Sequence, residues 1–157
     1  MSLYDVVMAF HIMAAFAAYG LPFAYPMLLP YLHRHHPRAL PGVHDVQHRL
    51  NIILTGPGTV LLFIFGAYMA SKHHLWDEAW VDVPIAILAV IVIAGGAIVK
   101  WTGELAILSA TDVSTSSETV TFSPAYSSTY RRYMLTEIML GLLVLIAIFF
   151  MTAKPFA

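Results

Sequence analysis

VVMAFHIMAAFAAYGLPFAYPMLLPYL, residues 6–32, decides the fold. It is longer than the roughly 20 apolar residues that cross a hydrocarbon layer, and no Lys, Arg, Asp or Glu interrupts it. A histidine, His11, lies well inside. A ligating or ionisable side chain within a membrane helix is costly, so it marks a candidate site that needs a partner or a cofactor. A hydrogen bond across a helix bundle would also satisfy it, and this helix alone does not separate the two readings. Pro22, Pro26 and Pro30 follow at four-residue spacing. Each lacks the backbone donor for the carbonyl four residues earlier, so Ala18, Pro22 and Pro26 should present free carbonyls along one face. Lipid cannot satisfy those groups, which places that face against other helices, a cavity or a bound molecule.

Working outward, three further runs have the same character: 50–70, 83–99 with Trp101 at its edge, and 133–153. The composition, 59% hydrophobic and 11% charged, is too apolar for a soluble domain. The chain therefore reads as all-α, a four-helix transmembrane bundle forming one integral membrane domain over 1–157, with spans at about 5–32, 48–71, 82–102 and 130–153. The first run has no basic start and ends in prolines and histidines, unlike a cleaved signal peptide. The absence of cysteine excludes disulfides, iron–sulfur clusters and thiolate-bound or covalently attached haem. Any metal must sit on His, Met, Asp or Glu.

Charge orients the bundle. Arg34, Arg38 and Arg49 belong to the first connection and Lys100, Arg131 and Arg132 to the third, whereas the second has Lys72 and the tail Lys154. The positive-inside rule makes the first and third connections cytoplasmic and puts both termini outside the cytoplasm, as expected for a multi-pass protein of the inner (plasma) membrane.

Among the connections, HRHHPRALPGVHDVQHR (33–49) reads as a short surface turn whose His33, His35 and His36 lack a regular ligand spacing. His44 and His48 share a face if the second helix begins early. Gly56, Pro57 and Gly58 predict a close helix approach and a kink that frees the Ile53 carbonyl. In the outer turn, His73 and His74 precede Asp77 and Glu78, with Trp76 and Trp80 as interfacial anchors. The Ser/Thr-rich stretch 108–128 reads as a loop with a short interfacial helix at its start. Glu137 lies within the last apolar run, at the depth of Arg49, and an Arg49–Glu137 ion pair is the expected arrangement.

Three stretches in order, FHIMAAFAAYGLPFAYP (10–26), HRLNIILTGPGTVLLFIFGAYM (48–69) and RRYMLTEIMLGLLVLIAIFFMTAKPF (131–156), carry a family resemblance. The first is similar, in its histidine, glycine and proline, to the opening helix of the small four-helix membrane family that includes the HemJ-type protoporphyrinogen oxidases and proteins akin to the copper-resistance D group. The second resembles that family in Arg49, Leu50, Pro57 and Gly66, and the third in Arg132, Glu137 and the terminal Lys154, Pro155 and Phe156. The third helix holds Pro84 and apolar residues where the oxidases have a lysine and a histidine, which aligns the chain with members outside the oxidase itself. The resemblance implies bound haem b or a related porphyrin, with His11 as the first residue to test.

At 1.5 Å per residue His11 lies roughly 10 Å from the outer end of its helix, and His48 sits near the opposite surface, so the two cannot share one iron. Met69 and Met151 are the sixth-ligand candidates at the level of His11. Lys72 and Lys154 are the cations expected to hold porphyrin carboxylates, with Arg49 in that role for a deeper ring. Copper is the alternative cofactor, on His11, His73 and His74 with Met69, all toward the outer half. A cofactor-free accessory subunit is the remaining class. The expected surroundings are membrane lipid and either a homo-oligomer or a larger membrane complex. No nucleotide loop and no hydrolase nucleophile with its base are present, and no nucleic-acid partner is expected.

Overall fold

The computed structural model describes residues 2–155, so Phe156 of the terminal Lys-Pro-Phe motif lies outside the described residues. The described residues contain helices and no strand: α1 (Leu3–Tyr19), α2 (Tyr25–His35), α3 (Leu40–Leu50), α4 (Gly56–Lys72), α5 (Ala79–Thr115) and α6 (Pro124–Ala153). Three continuous helices, Pro37–Lys72, Ala79–Thr115 and Pro124–Ala153, are long and apolar enough to cross a membrane. A fourth span is completed if α1 and the segment Pro22–His35, bent by 40°, count as one.

Local chemistry sets these boundaries. Ser2 caps α1 through a reciprocal pair, its backbone N–H donating to Asp5 Oδ2 at 2.8 Å and its hydroxyl accepting from the Asp5 N–H at 3.2 Å. Pro22 converts the chain to a short 3₁₀ turn, Pro22–Ala24, which makes the bend, whereas Pro30 is accommodated inside α2. Before Pro57 the helix widens into a π turn, Asn51–Thr55, closed by the Gly56 N–H on the Asn51 carbonyl. The expected disturbance at Pro57 thus takes the form of a one-residue bulge between α3 and α4.

The helices reach well beyond the apolar runs. The second span was expected from about 48, yet the helix begins at Pro37. Segment 108–128, expected as a loop, is helical to Thr115 and again from Pro124. Along the extension of α5 the hydroxyls of Ser109, Thr111 and Thr115 donate to carbonyls one turn back at 2.6–3.1 Å, so these polar side chains are satisfied within the helix.

Packing is pairwise: α1 against α4, α3 against α5, and α5 against α6. One core gathers Tyr25, Leu29, Leu40, Leu105, Tyr126 and Tyr133, and a second gathers Ala18, Tyr19, Ile87, Ile91 and Val144. Outside, large apolar side chains such as Phe16, Met27 and Ile93 are at least 79% exposed, the pattern of a surface made for hydrocarbon. Arg38 Nη2 donates to the Ser117 carbonyl at 2.6 Å, so the first and third connections meet at one end. The second connection meets both chain ends at the other, where the His73 ring stands edge-on to Tyr4 and Lys154 Nζ lies 5.2 Å over Trp80.

Candidate functional site

His11 is buried, 9% exposed, between α1 and α4. Its Nδ1–H donates to the Leu62 carbonyl at 3.0 Å, because a carbonyl can only accept. The ring lies against Gly66, where an added Cβ would come 3.1 Å from Cε1. Gly66 therefore admits the imidazole, Leu62 fixes its orientation, and Nε2 is left with its lone pair. A backbone carbonyl on the far nitrogen is the usual support for a ligating histidine.

The same fastening occurs a second time. His48 Nδ1–H donates to the Val99 carbonyl at 3.0 Å, and its ring lies against Gly103, where an added Cβ would come 3.2 Å from Cε1. Histidine, carbonyl and glycine are each displaced by 37 residues: 11 to 48, 62 to 99, 66 to 103. One device thus fastens α1 to α4 and α3 to α5. What distinguishes the copies is space. His11 lines a cavity of about 580 Å³ with Phe16, Phe63, Trp76, Ile148 and Met151, whereas His48 lines neither this cavity nor a smaller one of about 260 Å³ around Asn51 and Glu137. The size is that of a cofactor pocket, commonly about 300–1,000 Å³.

The other residues singled out in the sequence fall as follows. Met151 shares the cavity with His11 and Met69 does not. Neither Lys72 nor Lys154 lines it. Lys154 follows the cavity residue Thr152 by two positions but rests over Trp80, and Lys72 is exposed. The expected cation clamp is therefore not assembled. No group of three His, Asp or Glu residues converges among the described residues, so His11, His73 and His74 do not form a joint metal site. His11 is turned onto Leu62, while His73 packs on Tyr4 and His74 occupies a left-handed turn at φ 53°.

Arg49 and Glu137 do not pair. Arg49 Nε donates to Asp45 Oδ2 at 2.9 Å, and its side chain is 69% exposed. Arg49 lies on the outer face of its helix, turned away from the bundle. The inner face is the stripe His44, Gln47, His48 and Asn51, at helical spacings of three and four. That stripe was readable in the sequence and is the signal for what was missed. His44 Nδ1–H donates to Gln47 Oε1 at 2.8 Å, the Tyr126 hydroxyl donates to His44 Nε2 at 3.0 Å, and Gln47 Nε2 donates to the Tyr133 hydroxyl at 3.1 Å. All four side chains are 1% exposed or less. This network joins α3 to a tyrosine stripe on α6 and holds the imidazole neutral, with one nitrogen donating and the other accepting.

No family model, no curated protein and no solved structure matches this chain.

Proposed function

We propose that the protein is a four-helix transmembrane bundle that binds haem b, or a related porphyrin, in the cavity beside His11, and serves electron transfer or haem handling in the membrane. The observation that carries this reading is the His11 geometry: Nδ1–H tied to a carbonyl, Nε2 free, and an apolar cavity of about 580 Å³ alongside. The residues present fit the iron and the ring, while no Lys or Arg lines the cavity to meet the porphyrin carboxylates. Carbonyl support raises the basicity of the imidazole. Gly66 gives the imidazole room, Phe16, Phe63 and Trp76 offer aromatic faces to a porphyrin, and Met151 offers a thioether in the same cavity. When bound, haem supplies one-electron chemistry.

His48 favours a second reading. It makes the same bond and lines neither described cavity, and on this reading His11 is a cofactor-free fastener of an accessory subunit. The two readings part on a pair of variants expressed in haem-replete cells. We expect His11→Ala to lose the Soret band and His48→Ala to keep it. A band unchanged in His11→Ala removes this ligand from the account.

The orientation belongs to the same proposal. Six of the eight Lys and Arg residues fall on the first and third connections, which the Arg38–Ser117 bond places at one end. We infer that this end is cytoplasmic and that both termini lie outside the cytoplasm, in the plasma membrane. Reporter fusions after Ala157 are expected to be active only when the reporter works outside the cytoplasm. Cytoplasmic activity would reverse the orientation and leave the helices untouched.

A further inference from the structure

A second cavity, of about 260 Å³, lies among α4, α5 and α6, with Tyr19, Phe23 and the π turn completing its wall; it adjoins the His11 cavity through Tyr19, Phe23, Ile91 and Val144, but its polar groups have no part in the haem proposal. Its polar lining is unequal. Thr59 Oγ1 donates to the Thr55 carbonyl at 2.7 Å, the Tyr19 hydroxyl lies 3.0 Å from Thr59 Oγ1, and Thr55 Oγ1 donates to Asn51 Oδ1 at 3.5 Å, so the hydroxyls have partners. Two groups do not. The Asn51 amide nitrogen is buried with no hydrogen-bond partner among the described residues, in a residue 6% exposed. Glu137, 7% exposed, has neither an ion pair nor a hydrogen bond among the described residues. A buried donor left unmet is costly, and an unpaired carboxyl facing the same cavity points to a ligand that meets both. Asn51 also opens the π turn, a distortion that recurs at functional sites.

The lining selects the ligand. Most of it is apolar, with Ile91, Leu140 and Val144 inside, and Val60 and Val92 are also exposed on the outside of the bundle, so the cavity opens sideways toward hydrocarbon. An amine could meet Glu137 but offers Asn51 no acceptor, and a fatty acid would set a second carboxyl against Glu137. A neutral oxygen that accepts from Asn51 and shares a proton with Glu137 suits both. The volume, several times the roughly 30 Å³ share of one water, suits a ring better than a hydroxymethyl group. We propose that this cavity binds the ring head of a membrane-dissolved quinol or quinone, with Asn51 and Glu137 as its polar contacts.

The proposal does not depend on haem and is tested without it. Protein in lipid nanodiscs is equilibrated with a short-tailed benzoquinone, and the probe held in excess of empty nanodiscs is measured after extraction. Saturation at one probe per chain is expected. Gly95 lines the cavity and an added Cβ meets nothing within 4 Å, so Gly95→Leu should fold and fill the space. Gly96, also open but outside the lining, is the control. Gly95→Leu should abolish saturable binding, Gly96→Leu should keep it, and Asn51→Leu should weaken it about tenfold, the effect of one lost hydrogen bond. Equal binding in the two glycine variants would overturn the site. Equal displacement of the probe by a long-chain aliphatic alcohol would overturn the ring assignment.

Discussion

The Gly58→Val substitution is expected to loosen α1 from α4 and to lower stability in detergent by about 2–3 kcal/mol, the cost of overfilling a packed contact. An ideal Cβ at Gly58 would lie 3.1 Å from Ala18 Cβ and 3.3 Å from both the Ala18 Cα and N. Two of these three atoms are backbone and cannot rotate away. Ala18 itself is fully buried, so the helices must separate, and the His11–Leu62 bond lies on the same interface. Valine gains a few tenths of a kcal/mol in helix propensity over glycine, too little to offset the clash. Denaturant midpoints measure the effect, with Gly96→Val as the unhindered comparison. Equal midpoints for the two variants would show that the approach of α1 and α4 is not tight at this point.

The second large effect is expected at Gln47→Leu. Leucine fills a similar volume but removes both the acceptor for His44 Nδ1–H and the donor to the Tyr133 hydroxyl. With about 1–3 kcal/mol for each of the two buried groups left unmet, the loss should reach about 2–6 kcal/mol. Tyr133→Phe should cost less, because it leaves only one Gln47 N–H unmet. The combination of the two should cost less than the sum of the single changes, since both remove the same bond. Additive losses would mean that Gln47 and Tyr133 act independently and that the network does not hold α3 to α6.

Apolar runs announced the helices because hydrocarbon requires continuous apolar surface, and the positions of Pro22 and Pro57 announced the bend and the bulge. The helix ends were not legible. Apolarity stops at the edge of the membrane while the backbone ladder continues in water, as in α5 to Thr115 and in the helix that begins at Pro37. Arg49 and Glu137 failed as a pair because depth along a helix says nothing of azimuth. A helical wheel puts Arg49 with Asp45 on the outer face and His44, Gln47 and Asn51 inside. For His11, sequence supplied the residue and its depth. It did not supply the Leu62 carbonyl or the bare backbone of Gly66, which come from a helix some fifty residues further on, or the cavity, whose wall is shared by α1, α4, α5 and α6. The repeat at 37 residues was hidden for the same reason, since only the contacts, and little of the surrounding sequence, recur.

The central claim, that His11 holds haem b inside this bundle, is tested most directly by the dithionite-reduced minus oxidised absorption spectrum of the detergent-solubilised wild-type protein from haem-replete cells. The account predicts a Soret band and the paired visible bands of haem b at about one haem per chain, the single site that one free histidine beside one cavity provides. A featureless spectrum from folded protein would contradict it and leave His11, like His48, as a bond between helices.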